Sequence, residues 1–276
     1  MAVEPLRTLR PTTGWVALDL RELAQFQDLL VEFARRDVKL RYRQTLLGVA
    51  WVLLQPLVAA GVLTFAFGVV AGLKPQGTSS FLFTYAGLLV WNVFSSTLNK
   101  ASMSMVGNTY LVSKVYFPRL ILPLSGTLAI LLDFGISLTV LLVGLAGLGI
   151  WPGWPLLLLP IWILLVLCLA LGAGLIAAAL TVQYRDIQHI LPILIPFLLY
   201  ASPVAYEVAH IPARFQSAFY LINPLAALVE GFRWSTLARP MPPLPMVAWS
   251  ATFAVIVFLC GAAVFRRTER KFADVI

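Results

Sequence analysis

The chain is poor in charge. Asp, Glu, Lys and Arg make up 12% of its 276 residues, about half the share found in a soluble globular domain. Cysteine is nearly absent. Cys168 and Cys260 each sit in an apolar run, which excludes a disulfide framework and a cysteine-built metal site. The two histidines, His189 and His210, fall at different expected depths and join no carboxylate or thiol cluster, so no metal is expected. No Walker-type phosphate loop and no G-x-G-x-x-G after a strand is present. ATP chemistry is therefore not expected in this chain. A membrane glycosyl- or acyltransferase would need clustered acids or a His–Asp pair at one membrane face, and the sequence offers neither. No cleavable signal peptide is expected, because the first charge-free apolar run starts only after residue 43.

What is abundant is hydrocarbon. Apolar residues are 60% of the chain and mean hydropathy is +0.89. The expectation is an all-α integral membrane protein. The net charge of +8 then reads as a bias toward one membrane face, not as a nucleic-acid footprint. About 20 apolar residues cross a bilayer as a helix. That rule gives six spans, at about 47–71, 81–106, 118–148, 155–181, 187–206 and 246–265. Pro56 should kink the first, and Pro192, Pro196 and Pro203 the fifth. The third is long enough to tilt or to run past the bilayer.

Basic residues set the orientation. Eight lie in residues 1–45, three in the second loop (Lys100, Lys114, Arg119), one in the fourth (Arg185) and four in the tail, sixteen of the twenty. The other side has Lys74, Arg214, Arg233 and Arg239. Both termini are therefore expected in the cytoplasm, with Trp151 and Trp154 marking the outer interface.

Residues 1–45 read as a separate cytoplasmic segment. Residues 1–18 are polar and irregular, and Asp19 to Glu22 has capping-box spacing. Leu23, Phe26, Leu30 and Phe33 then recur every three to four residues, predicting an amphipathic helix along the interface or against a soluble partner. Lys39, Arg41 and Arg43 follow as a basic collar against the first span, long enough to reach headgroup phosphates. The stretch 207–245 is too long for a simple connection and too apolar for a free loop. Asn223 should cap a helix that starts with Pro224. A re-entrant pair from the outer face and an interfacial pair both fit that pattern. Glu230 and Arg233 have the i,i+3 spacing of an ion pair. Asp133 falls near the middle of the third span, where a charged carboxylate costs about 3 kcal/mol on insertion scales. It is read as a polar lining of a path or an interhelix contact. A proton-coupled flippase would need more than one such group.

Four blocks resemble the membrane subunit of ABC-2 type polysaccharide exporters, which move O-antigen or teichoic acid polymers on a lipid carrier. They are RDVKLRYRQTLLGVAWVLLQP (36–56), NTYLVSKVYFPRLILP (108–123), YRDIQHILPILIPFLLYASPVAY (184–206) and LINPLAALVEGFR (221–233). The terminal FRRTERKFADVI fits as well. The resemblance covers nearly the whole chain and implies an ABC-2 transmembrane domain over 46–276. It favours the re-entrant pair around Asn223, Pro224, Glu230 and Arg233. It implies two copies forming a channel, two copies of a separate ATPase carrying Mg-ATP, and a lipid-linked polysaccharide substrate in a bacterial inner membrane. It makes Tyr110, Leu111, Lys114, Val115 and Phe117 a coupling helix that docks on the ATPase. Trp91, Phe94, Phe197, Tyr200 and Tyr206, with Asp133, become candidates for the substrate path, since aromatic faces stack on sugar rings. Lys39, Arg41 and Arg43 become the group that attracts the anionic lipid head.

Overall fold

The structure is a computed structural model that describes the backbone of residues 20–43, 48 and 50–275. The irregular lead, Asp19 of the capping box and the first residue of the first span lie outside the described residues. Among the described residues the regular structure is all helix. α1 (Leu20–Gln25) and α2 (Gln27–Tyr42) are one amphipathic run broken at Phe26. α3 (Ala50–Leu63) passes through Pro56 and widens into a π-helical stretch, Thr64–Val70. α4 (Ser80–Ser102) ends where the Ser102 and Ser104 hydroxyls bond the Asn99 and Ala101 carbonyls at 2.8 and 2.6 Å, competing with the helical ladder. A short α5 (Thr109–Lys114) leads to α6 (Ile121–Gly147). α6 stops in a Schellman cap: Gly149 takes φ +69°, its N–H bonds Ala146, and the Ile150 N–H bonds Leu145.

α7 (Leu159–Gln183), α8 (Ile187–Ala201), α9 (Ala213–Ile222), α10 (Pro224–Leu237) and α11 (Leu244–Val275) complete the chain. Among the described residues, five segments are long and apolar enough to cross a membrane: Ala50–Val70, Ser80–Ser102, Ile121–Gly147, Trp154–Gln183 and Leu244–Glu269. The fifth expected span differs. α8 has 15 residues, about 22 Å of helix against a hydrocarbon layer of about 30 Å. Ser202 turns extended and ends it ahead of Pro203. α7 finishes at one end of the body, and Glu207, just past α8, is bonded at the other.

Two staples define those ends. At one, Glu207 accepts from the Gln76 N–H at 3.0 Å and pairs with Arg239, whose guanidinium also bonds the Gln76 carbonyl. At the other, Arg119 bonds Glu269 through both its backbone N–H and its side chain. Between them, α4 and α7 form the centre, and Tyr85, Leu89, Leu141, Val166 and Leu228 are fully enclosed. α7 and α11 touch backbone to backbone. A Cβ on Gly172 would lie 2.5 Å from the Val257 carbonyl, so only glycine permits the approach.

The amphipathic helix keeps its expected face but not its expected surroundings. Leu23, Phe26, Leu30 and Phe33 pack on a second cluster of the chain itself, with Met105, Phe117, Ile121 and Phe265. That face meets protein because α2 packs along α6.

Candidate functional site

The basic collar, the lone intramembrane acid and the start of the first span converge. α2 lies along α6, and its last turn brings Arg41 and Tyr42 to Asp133: Arg41 pairs with one carboxylate oxygen, and the Tyr42 hydroxyl donates to the other. Asp133 is mid-span in the sequence, but in the fold it is level with the beginning of α3, where the Ser137 hydroxyl reaches the Val52 carbonyl at 3.4 Å. Its charge is therefore answered within the protein and not left in hydrocarbon. Desolvation pushes the Tyr42 phenol up to about 12, helped by its hydrogen bond to Asp133 and that carboxylate's charge. Tyr42 is thus a fixed donor throughout the physiological range.

Beside this trio is a cavity of about 190 Å³, walled by Trp51, Gln55 and Pro56 of α3, Leu89, Asn92 and Ser96 of α4, and Asp133, Phe134 and Ser137 of α6. Arg41 and Tyr42 line it as well, and the residues that flank them in the chain, Lys39 in the last turn of α2 and Arg43 at its C-cap, are exposed. Tyr42 and the polar flank of α4 were missed by sequence reasoning. The available signal was the i,i+4 spacing of Asn92 and Ser96 inside an otherwise apolar helix.

α2 is fixed from its other side too. Asp37 is almost buried between Arg36 at 3.1 Å and Lys100 at 3.0 Å. Arg36 also meets Asn108, and Phe33 meets Phe117 edge-on at 5.8 Å. This corrects the expected coupling set. Phe117 is 4% exposed, held in the chain's own cluster, and is not a free anchor. Leu111 is partly buried on the same cluster. Tyr110 at 73%, Tyr116 at 63% and Val115 at 51% face outward, with Lys114 exposed beside them. Of the two adjacent aromatics it is Tyr116 that faces outward and Phe117 that is buried, against Phe33.

The aromatic candidates divide. Trp91 and Phe94 are core residues, 5.6 Å apart and nearly buried. Phe197 and Tyr200 project from α8 at 67% and 57% exposure. Phe67 stacks on Tyr200 and Tyr206 at 6.5 and 6.0 Å, continuing that surface onto the α3 side.

In the α9–α10 pair, Pro224 opens α10 as expected, but Asn223 does not cap it. Its amide donates to the Ala201 carbonyl and the Ser202 hydroxyl, at 3.1 and 3.0 Å, tying the pair to the end of α8. Glu230 and Arg233 do not form a salt bridge. Glu230 accepts from Tyr220 across the pair. Arg233 is fully enclosed, lies 3.6 Å over the Phe83 ring, and donates to the carbonyls of Phe83, Pro203 and Val204. Gly87 leaves room for its guanidinium, since a Cβ there would collide with Arg233 Nη2 and lie 2.6 Å from the Val204 oxygen. Arg233 thus belongs to the buried core and not to an outer loop.

With this geometry in view, residues 29–237 match the family model described as ABC-2 type transporter. The chain belongs to the ABC-2 type transporter family. The match begins inside α2, so the family's membrane domain includes the helix that grips Asp133. Among curated proteins, the chain is 30% identical over 259 residues to the O-antigen export system permease protein RfbA of Myxococcus xanthus, covering 93% of this chain and 98% of that protein. It is 26% identical over 253 residues to a protein of the same name from Klebsiella pneumoniae, covering 90% and 95%. It is 27% identical over 240 residues to the polysialic acid transport protein KpsM of Escherichia coli, covering 85% and 91%. These ABC-2 relatives align end to end, so the cavity, the α5 segment and the α9–α10 pair all fall inside the shared region.

Proposed function

We propose that the chain is the membrane-spanning permease of an ATP-driven exporter that carries a lipid-linked polysaccharide, O-antigen-like in class, outward across a bacterial inner membrane. The observation that carries this reading is the near full-length match to permeases named for O-antigen export and polysialic acid transport. Teichoic acid or another glycan is the same reading with a different polymer. Mg-ATP binds and is hydrolysed on a separate ABC ATPase present in two copies. The Tyr110, Val115 and Tyr116 surface with Lys114 docks there, and Leu111 and Phe117 hold that segment to α2 from behind.

Two copies of this chain form the channel, and the exposed α8 face with Phe197 and Tyr200 lies toward it. α8 with its following turn serves as the sixth crossing. Both termini are cytoplasmic, so the α9–α10 pair re-enters from the outer side. Lys39, Arg41 and Arg43 attract the anionic lipid head, at about 1 kcal/mol for each basic residue near an anionic surface. The test is deletion in the native host. Lipid-linked polymer should accumulate inside and vanish from the surface, with recovery on complementation. Unchanged surface polymer overturns the proposal, as does ATP turnover by the purified chain alone.

A further inference from the structure

We propose that the cavity between α2, α3, α4 and α6 binds one uncharged pyranose ring: the sugar attached to the diphosphate of a polyprenyl-diphosphate-linked glycan. The diphosphate itself stays outside, against Lys39 and Arg43. The inference rests on the export reading above and adds a defined recognition site to it.

Size limits the ligand first. At about 190 Å³ the cavity falls below the roughly 300 Å³ of a pocket for a drug-sized molecule. That is room for a small ring, and because the cavity is open on one side the rest of a longer ligand can remain outside it.

Chemistry limits it further. Gln55, Asn92 and Ser96 present two amides and a hydroxyl to the cavity. Among the described residues, none of the three has a side-chain hydrogen-bond partner, so their donors and acceptors remain for a ligand. Gln55 is exposed and Asn92 and Ser96 are partly exposed, so a ligand can reach all three. Trp51, 51% exposed at the wall, offers a ring face for the apolar side of a sugar.

Charge decides between sugar and phosphate. Arg41 is already answered by Asp133, which is held by Tyr42 as well. An anion entering the cavity would meet the Asp133 carboxylate without a free cation to balance it. A neutral polyhydroxyl ligand meets paired donors and acceptors instead. Lys39 and Arg43 are exposed at the end of α2 and do not line the cavity. A headgroup with a phosphate part and a sugar part matches that division.

The experiment uses the full chain in nanodiscs of neutral lipid. The probes are farnesyl diphosphate and the same lipid carrying one N-acetylhexosamine. The sugar-bearing probe should bind roughly tenfold tighter, the gain expected of one or two net hydrogen bonds and a stacked face. Asn92→Ala and Gln55→Ala should each remove most of that difference and leave the bare diphosphate unaffected. Lys39→Ala with Arg43→Ala should weaken both probes alike. Equal affinity of the two probes overturns the sugar site while leaving the export reading standing. Equal loss of both probes in Asn92→Ala also overturns it, since the cavity would then hold phosphate. Failure of both probes to bind overturns the export reading and the sugar site with it.

Discussion

Breaking the Asp133 trio one member at a time should give unequal losses. Asp133 is the enclosed partner, with 13% of its side chain exposed, whereas Arg41 keeps 45%. Arg41→Gln leaves the carboxylate with Tyr42 alone in a largely dry site. Removing one partner of a fully buried pair costs about 3–5 kcal/mol, and an exposed pair contributes about 0.2–1 kcal/mol. Half-exposure of Arg41 puts this loss between those limits, at about 2 kcal/mol. Asp133→Asn should cost less, about 1 kcal/mol, because the amide oxygen still accepts from Tyr42 and Arg41 can turn to water. The double variant buries no unpaired charge and should cost about as much as Asp133→Asn alone. One kcal/mol shifts a midpoint by about 2–4 °C at 150–250 residues. In detergent at one fixed heating rate, Arg41→Gln should then melt about 4–8 °C low, and the double variant should recover about half of that. Strict additivity of the two single losses would refute the pairing. The trio also separates the export reading from a proton-driven carrier. Export by Asp133→Asn should persist with ATP and need no pH gradient. Tyr42 adds a pH signature. Its raised pKa makes the bound proton stabilising below the ordinary phenol value near 10, and that contribution is lost as pH rises through about 12. Tyr42→Phe should flatten the stability profile in that alkaline window and nowhere else.

Tyr110→Ala and Tyr116→Ala should leave insertion and melting intact yet lose the ATPase on purification, at about 2 kcal/mol for a well-packed anchor. Phe117→Ala should instead lower the melting midpoint, since it empties the contact with Phe33; the reverse pattern would refute the assignment. Gly172→Ala should destabilise by about 1–3 kcal/mol through overlap with the Val257 backbone. Gly135→Ala, where nothing lies within 4 Å, should be neutral or gain up to about 1 kcal/mol of helix propensity. Equal melting of these two glycine variants would count against the α7–α11 contact. A topology reporter at Gly153 should read outside and one after Ile276 cytoplasm. A cytoplasmic signal at Gly153 would overturn the crossing order.

Composition and period decided much of this protein before any fold was known. Lipid admits helices because every backbone group must be satisfied within the segment, so charge-free runs translate directly into spans. Five of six expected spans are long helices within a few residues of their predicted bounds. Pro224 and the alternation of Leu23, Phe26, Leu30 and Phe33 were readable for the same reason: φ restriction and the 3.6-residue period are local. What the sequence left open was every question of partner. Asp133 and Arg41 are far apart in the chain, so nothing local says that α2 lies along α6 and delivers a cation to that carboxylate. Arg233 has Glu230 three residues away, yet the fold presents three carbonyls in a tighter ring and takes the guanidinium there. Asn223 has a helix start beside it, but the unsatisfied end of α8 claims its amide. Phe117 and Tyr116 are adjacent aromatics, and only the placement of Phe33 decides which is buried. Local rules fix what a segment becomes. Its polar and aromatic side chains go to whichever unsatisfied group or unfilled space the packing brings nearest, and only the tertiary structure specifies that.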